Sequence, residues 1–300
     1  MTLGNSLKTG RFYTAAMSTL SSADGTALHL QSWAPAPGAA RGSVLIVHGL
    51  GEHIGRYAHV AQRLNGAGWA VAGYDQRGHG HSGGARGAIA QPDSLLADLY
   101  QVLTHTRRNA SPGPLLLLGH SMGGAVAGRF VAEGLAAQPA PWWQAVDGLV
   151  LSSPALAADT TLVQKLLLAV FGRLAPGLAV NNGLQPEWIS RDPAVVKAYL
   201  ADPLVHDRIT PRLGQFILDA GQSVRDNAAR WTLPSLLLYA GADRCVAARG
   251  SNEFAAAAPA SALTSRRYDG LFHEIFNEPE QTTVLDDLLA WLNTRYPAPA

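Results

Sequence analysis

The chain has 300 residues, 47% of them hydrophobic, a formal net charge of +1 and one cysteine. That is enough apolar material for one large core, or one core with an insertion, without disulfides or a structural metal. The basic residues are scattered rather than clustered, which excludes the electrostatic footprint of a nucleic-acid-binding protein.

In chain order, residues 1–17 have no unbroken apolar run after a basic start, so they lack the form of a secretory signal and read as a flexible leader. Short runs rich in Val, Leu and Ile then recur between Gly and Pro. They span Leu28 to Trp33, Val44 to Val47, Trp69 to Tyr74, Leu115 to Leu118, Val146 to Leu151, Leu236 to Tyr239 and Ser265 to Tyr268. Several are apolar on both faces, as parallel strands covered by helices must be. Helix-compatible segments lie among them: Tyr57 to Asn65, Ser94 to Arg107, Ala125 to Ala137, Ser251 to Ala257 and a closing helix from Thr283 to Arg295. This alternation predicts an α/β fold with a doubly wound, mostly parallel sheet.

The alternation stops after Pro154. Residues 155–231 hold no strong strand run but keep helical periodicity in Leu162 to Leu174 and Val195 to Leu200, which predicts a helical cap between two halves of the core, 18–154 and 232–300. The first cap helix has a wide apolar face, which either packs on the core or leaves Leu167, Val170 and Phe171 as candidates for lining an apolar channel or meeting a lipid surface. Lys165, Arg173 and Pro176 interrupt the stretch, which is too short and polar to span a bilayer. The lone Cys245 cannot form an internal disulfide, so the expected location is cytoplasmic, peripheral at the membrane if the cap meets lipid.

Chemistry enters with G-x-S-x-G, in which a serine on a sharp strand-to-helix turn projects its hydroxyl out of the sheet. The pattern occurs twice. Gly80-His81-Ser82-Gly83-Gly84 sits inside the glycine-rich RGHGHSGGARG, with neither a strand before it nor a helix after it. Gly119-His120-Ser121-Met122-Gly123 follows the apolar LLLL and precedes the helix-competent GAVAGRFVAEGLA, so Ser121 is the expected nucleophile.

A serine hydroxyl needs a neutral imidazole to take its proton and a carboxylate to orient that imidazole, in the chain order Ser, acid, His. After Ser121 the histidines are His206, inside the expected cap, and His273, beyond the last strand. His273 is the expected base. Asp243 directly follows the strand SLLLYAG, at the carboxyl edge of a parallel sheet, and is the expected acid. Asp269 and Glu274 are rivals by closeness to His273, with solvent exposure as their plain reading. The oxyanion hole needs two backbone N–H donors, expected from Met122 and from Leu50 between Gly49 and Gly51.

Taken together, HGLGEHIGRY, YDQRGHGHSGG, LLGHSMGGAVA, DPLVHD, LLLYAGADRCV and HEIFNEPE resemble the monoacylglycerol lipase and lysophospholipase branch of the α/β-hydrolases, also grouped with the serine aminopeptidases. The resemblance implies an acyl-ester substrate, a mobile helical cap, the triad Ser121, Asp243 and His273, and oxyanion donors at Leu50 and Met122. It calls for no cofactor and no metal.

The remaining histidines have plainer readings. His79 and His81 suggest a metal pair, but no further ligands converge on them in sequence, so loop hydrogen bonding is expected. His48, His53 and His120 are expected to pack around the reactive turn. Trp142 and Trp143 are expected to pack at an edge, and Cys245 to be inert.

Overall fold

The computed structural model describes residues 15–35, 40–110, 112–158 and 174–298. The apolar runs form an eight-stranded sheet of β1 (Ala16–Ser21), β2 (Ala27–Trp33), β3 (Ser43–Val47), β4 (Ala70–Tyr74), β5 (Leu115–His120), β6 (Gly148–Ser152), β9 (Ser235–Ala240) and β10 (Leu263–Tyr268). Its order is β1-β2-β4-β3-β5-β6-β9-β10. Pairings from β4 to β10 are parallel, whereas β1–β2 and β2–β4 are antiparallel.

Strands β3, β5, β6 and β9 are buried along their whole length because both faces are covered. Alternate residues serve opposite cores: Leu45 and Val47 of β3 point into one, Val44 and Ile46 into the other. The first core is closed by α2 (Ser94–Asn109), α3 (Met122–Glu133), α5 (Pro211–Asp226) and α6 (Ala248–Ala257). The second is closed by α1 (Ala58–Gly66) and α7 (Gln281–Arg295).

Functionally, the strand order matters most. The chain leaves β3 for β4 on one side and later returns to β5 on the other, so the loops after β3 and β5 diverge from a topological switch point, where a crevice opens at the carboxyl ends of the strands.

Three expectations need correction. Ala16 and Met17, assigned to the leader, belong to β1; this strand is almost wholly exposed, so it carries no apolar alternation to read. The segment 155–231 is not purely helical: Val180–Asn181 (β7) pairs with Arg208–Ile209 (β8), flanking α4 (Pro193–Ala201). Finally, α5 buries Leu213, Phe216, Ala220 and Val224 in the first core, so the end of that segment packs with the sheet's own helices. Thr210 caps α5 by accepting from the Leu213 N–H at 3.3 Å, and Pro211 opens it, a start signal present in the sequence. Leu167, Val170 and Phe171 lie outside the described residues. Among the described residues no helix is long and apolar enough to cross a membrane.

The glycine-rich RGHGHSGG loop is pinned by charge rather than apolar packing. Arg77 donates from Nε to Asp98 Oδ2 (2.6 Å) and from Nη2 to Asp98 Oδ1 (2.7 Å), and from Nη1 to Asp24 Oδ2 (2.7 Å). Removing one member of such a buried pair strands the other. Arg77→Met is therefore expected to lower unfolding free energy by about 3–5 kcal/mol, read from urea denaturation, and a loss under about 1 kcal/mol would contradict this anchoring role.

Candidate active site

Strand β5 ends at His120 and α3 begins at Met122, so Ser121 makes the strand-to-helix turn alone, at φ 53° and ψ −121°. That left-handed backbone is one L-residues rarely adopt. Glycines make it feasible, because a Cβ on Gly119 would lie 2.4 Å from the Gly123 carbonyl oxygen and one on Gly123 would lie 2.1 Å from that of Val47. The Ser121 N–H donates to Ser152 O (3.0 Å), and Ser121 O accepts from Ala155 N–H (2.9 Å), strapping the turn to the end of β6.

The Ser121 hydroxyl lies 2.8 Å from His273 Nε2, and His273 Nδ1 lies 2.7 Å from Asp243 Oδ2. Asp243 Oδ1 accepts from the N–H groups of Cys245 (2.8 Å) and Val246 (3.0 Å), which fixes the carboxylate. Burial would raise the Asp243 pKa, but His273 and those two N–H groups hold it below the ordinary value. Burial would likewise depress His273, yet Asp243, followed by Glu274 and Glu52, raises it above the ordinary histidine value. The hydroxyl can thus donate to a neutral imidazole whose other nitrogen donates to a carboxylate.

Leu50, on the loop after β3, lines the same cavity as Ser121, and Met122 is the first residue of α3, directly after Ser121. Among the described residues neither backbone N–H has an acceptor, leaving both free for an oxyanion. The Leu50 loop is held from below, where Glu52 Oε1 accepts from Gly49 N–H (2.6 Å), and from above, where His206 N–H donates to Gly51 O (2.9 Å).

A cavity of about 460 Å³ opens over Ser121. The core contributes Leu50, Ser121 and His273 to its wall, and the segment after β6 contributes Leu184, Ile189 and Tyr199.

The rival residues are otherwise engaged. Ser82 Oγ donates to Asp75 O and accepts from His29 N–H (2.8 Å), tying a loop together. His206 Nε2 donates to Gly78 O (3.1 Å) and is not joined to Ser121. Asp269 is exposed and pairs with Arg267. Glu274, expected in solvent, is instead buried, because Arg56 donates to both of its oxygens (2.6 and 2.7 Å).

Arg56 and its second partner, Glu52, were not singled out from sequence. Their spacing of four residues after the Gly49–Gly51 loop is a signal for one ion pair, but nothing local points to Glu274, 218 residues away.

Asp243, Cys245 and His273 offer donor atoms within 4.8 Å of one another, but Asp243 Oδ2 and His273 Nδ1 are already bonded together. Burial, then the Asp243 and Glu274 carboxylates, push the Cys245 thiol well up, which favours its protonated form.

The family model described as serine aminopeptidase, S33 (Hydrolase_4), matches residues 38–280. The chain is 39% identical over 257 residues to a monoacylglycerol lipase of Mycolicibacterium smegmatis, covering 84% of this chain and 88% of the relative. It is 30% identical over 282 residues to the monoglyceride lipase of Rattus norvegicus, covering 92% and 90%. Among solved structures, the monoacylglycerol lipase of Paleococcus ferrophilus superposes with a TM-score of 0.79 at 34% identity, covering 89% of this chain and 99% of that one. A soluble variant of Saccharomyces cerevisiae monoglyceride lipase, bound to a substrate analog, shares the fold with a TM-score of 0.82 at 20% identity, covering 99% and 100%.

The raised His273 pKa has a measurable sign. A protonated ring cannot accept the serine proton, so kcat/KM for a soluble ester should fall as pH drops through a value above the ordinary histidine pKa of about 6.5. A profile that stays flat to pH of about 5, with chemistry limiting, would remove His273 from the base role.

Proposed function

The chain belongs to the serine aminopeptidase, S33 (Hydrolase_4) family, and on that footing we propose that Ser121, His273 and Asp243 cleave carboxylic esters through an acyl-enzyme. The protein is a serine carboxylic-ester hydrolase for acylglycerol-like esters, the substrate class named for its relatives. The observation that carries the residue assignment is His273, whose two ring nitrogens lie 2.8 Å from Ser121 Oγ and 2.7 Å from Asp243 Oδ2.

In the first half-reaction Ser121 Oγ bonds to the ester carbonyl carbon as its proton passes to His273 Nε2, and the resulting oxyanion is held by the Leu50 and Met122 N–H groups. Collapse breaks the carbon–oxygen bond to the alcohol, which leaves with the proton from His273. Water then repeats the attack on the acyl-enzyme, releasing the fatty acid and restoring the Ser121 hydroxyl. Asp243 keeps the Nδ1–H tautomer throughout and stabilises the imidazolium.

The cap in this reading begins after Leu156 and ends by 210, since Ala155, Leu156 and α5 all pack into the main core. Leu174, Leu178, Val180 and Leu200 are exposed on it, with Leu174 79% and Leu200 63% accessible, and Leu200 also lines the cavity. These exposed apolar side chains, with Leu200 at the cavity itself, support contact with a lipid surface that delivers substrate.

Ser121→Ala should lose about 10⁴-fold or more in ester hydrolysis with an unchanged melting temperature, while Ser82→Ala keeps near-native turnover. The reverse pattern would relocate the nucleophile. Each methylene buried in the cavity contributes about 0.8 kcal/mol, so kcat/KM across p-nitrophenyl esters should rise about fourfold per carbon before a plateau. Preference for acetyl esters would instead favour a small-ester hydrolase. Leu178→Asp, outside the cavity wall, should weaken binding to phosphatidylcholine vesicles and spare hydrolysis of soluble butyrate esters, whereas unchanged vesicle binding would count against lipid contact at this position.

A further inference from the structure

Behind the cavity wall, one guanidinium joins the loops that carry the base and an oxyanion donor. Arg56 Nη1 donates to Glu274 Oε1 (2.6 Å) and to Glu52 Oε2 (2.8 Å), while Nη2 donates to Glu274 Oε2 (2.7 Å). The three side chains are buried, with 11% of Arg56, 5% of Glu52 and 6% of Glu274 accessible. Glu52 Oε1 accepts from Gly49 N–H (2.6 Å) and from the Tyr57 hydroxyl (2.7 Å), and Gly49 immediately precedes Leu50. Glu274 immediately follows His273, and its N–H donates to Ile189 O (2.8 Å) in the cap. From the cap side, the Tyr199 ring covers the guanidinium at 4.9 Å.

We propose that Arg56 is a positioning residue that sets the oxyanion loop and the His273 loop relative to one another, and so governs the rate of acyl transfer at Ser121 without touching the substrate. The inference rests on the assignment of Ser121, His273 and Asp243 above.

Three physical points support it. A guanidinium fork bound to both oxygens of a carboxylate fixes angle as well as distance, so the path from Gly49 through Glu52, Arg56 and Glu274 to His273 has little rotational slack. The two carboxylates repel one another in a water-poor site, and Arg56 is the cation hydrogen-bonded to both; without it they separate or one takes up a proton, and either change moves Gly49 or His273. Lastly, Glu52, Tyr199 and Glu274 line the cavity between Arg56 and its contents, so any effect of Arg56 on chemistry passes through them.

The test is saturation kinetics of a fluorophosphonate, which forms its bond at the activated serine and separates kinact from half-saturation. For Arg56→Met, kinact should fall about 100-fold, the loss expected when reacting groups shift by about 1 Å, with half-saturation changed less than about twofold. Arg56→Lys, which keeps the charge but not the fork, should recover part of that loss. A residue that serves only to hold the fold would lower the melting temperature and leave kinact of the folded protein unchanged. Native kinact in a folded Arg56→Met protein, or a loss carried wholly by half-saturation, overturns the proposal. Should Arg56→Met fail to fold, Arg56→Lys decides: kinact lowered about tenfold below its melting temperature supports positioning, and native kinact refutes it. If the unaltered protein is not labelled at Ser121, the triad assignment fails instead.

Discussion

Ser121 sits at a backbone conformation that costs about 1–3 kcal/mol, and such strain persists only where the surroundings over-determine it. Much of the nearby architecture supplies that constraint. The bare glycines at 119 and 123 let the first turn of α3 press against β3 and β5, and the ends of β6 hold the turn through Ser152 O and Ala155 N–H. Ser153 is itself at φ 38°, with its N–H donating to Leu238 O (2.8 Å) and its Oγ accepting from Ala240 N–H (3.3 Å). Through these two serines the nucleophile's turn is coupled to β9, the strand that delivers Asp243. The turn at Ser121 and the strand that precedes Asp243 are therefore joined by one hydrogen-bonded seam across the sheet.

Histidines crowd this seam, and electrostatics distinguishes them. Burial pushes His48 and His79 down, and burial followed by the charge of His273 brings His120 to about 4, so these rings stay neutral at physiological pH. His120 lies 4.8 Å from His273, ring centre to ring centre, and its Nδ1 is 3.1 Å from Ser152 Oγ. His273 is equally buried but has Asp243 at Nδ1, and its pKa moves upward instead. A carboxylate at the second nitrogen sets this imidazole apart from its buried neighbours. Glu52 and Glu274 line the same cavity, and Arg56 is hydrogen-bonded to both carboxylates.

Much of this was legible in the sequence because it is encoded locally. Runs of four to six apolar residues bounded by glycine or proline and too short for a core helix fit strands covered on both faces, and β3, β5, β6 and β9 are those strands. The choice of Ser121 over Ser82 followed from a strand on one side and a helix on the other, and the fold gives Ser82 a purely structural bond set. Strand β1 escaped notice since an exposed antiparallel edge leaves no apolar alternation. The role of α5 was masked by its place in a long helical segment, although Thr210 and Pro211 mark its start.

By itself, then, the order of residues determined the sheet's class, the strand-to-helix turn at Ser121 and the candidacy of Asp243 and His273, because strand propensity, glycine and chain order act over a few residues. Only the tertiary structure decided what meets across long separations. It joined Asp243 to His273 and Glu274 to Arg56, packed α5 into the core, and set the Leu50 loop between Glu52 below and His206 above. The reason is physical: a buried charge must find its partner wherever the chain brings one close, and sequence separation has no bearing on that distance.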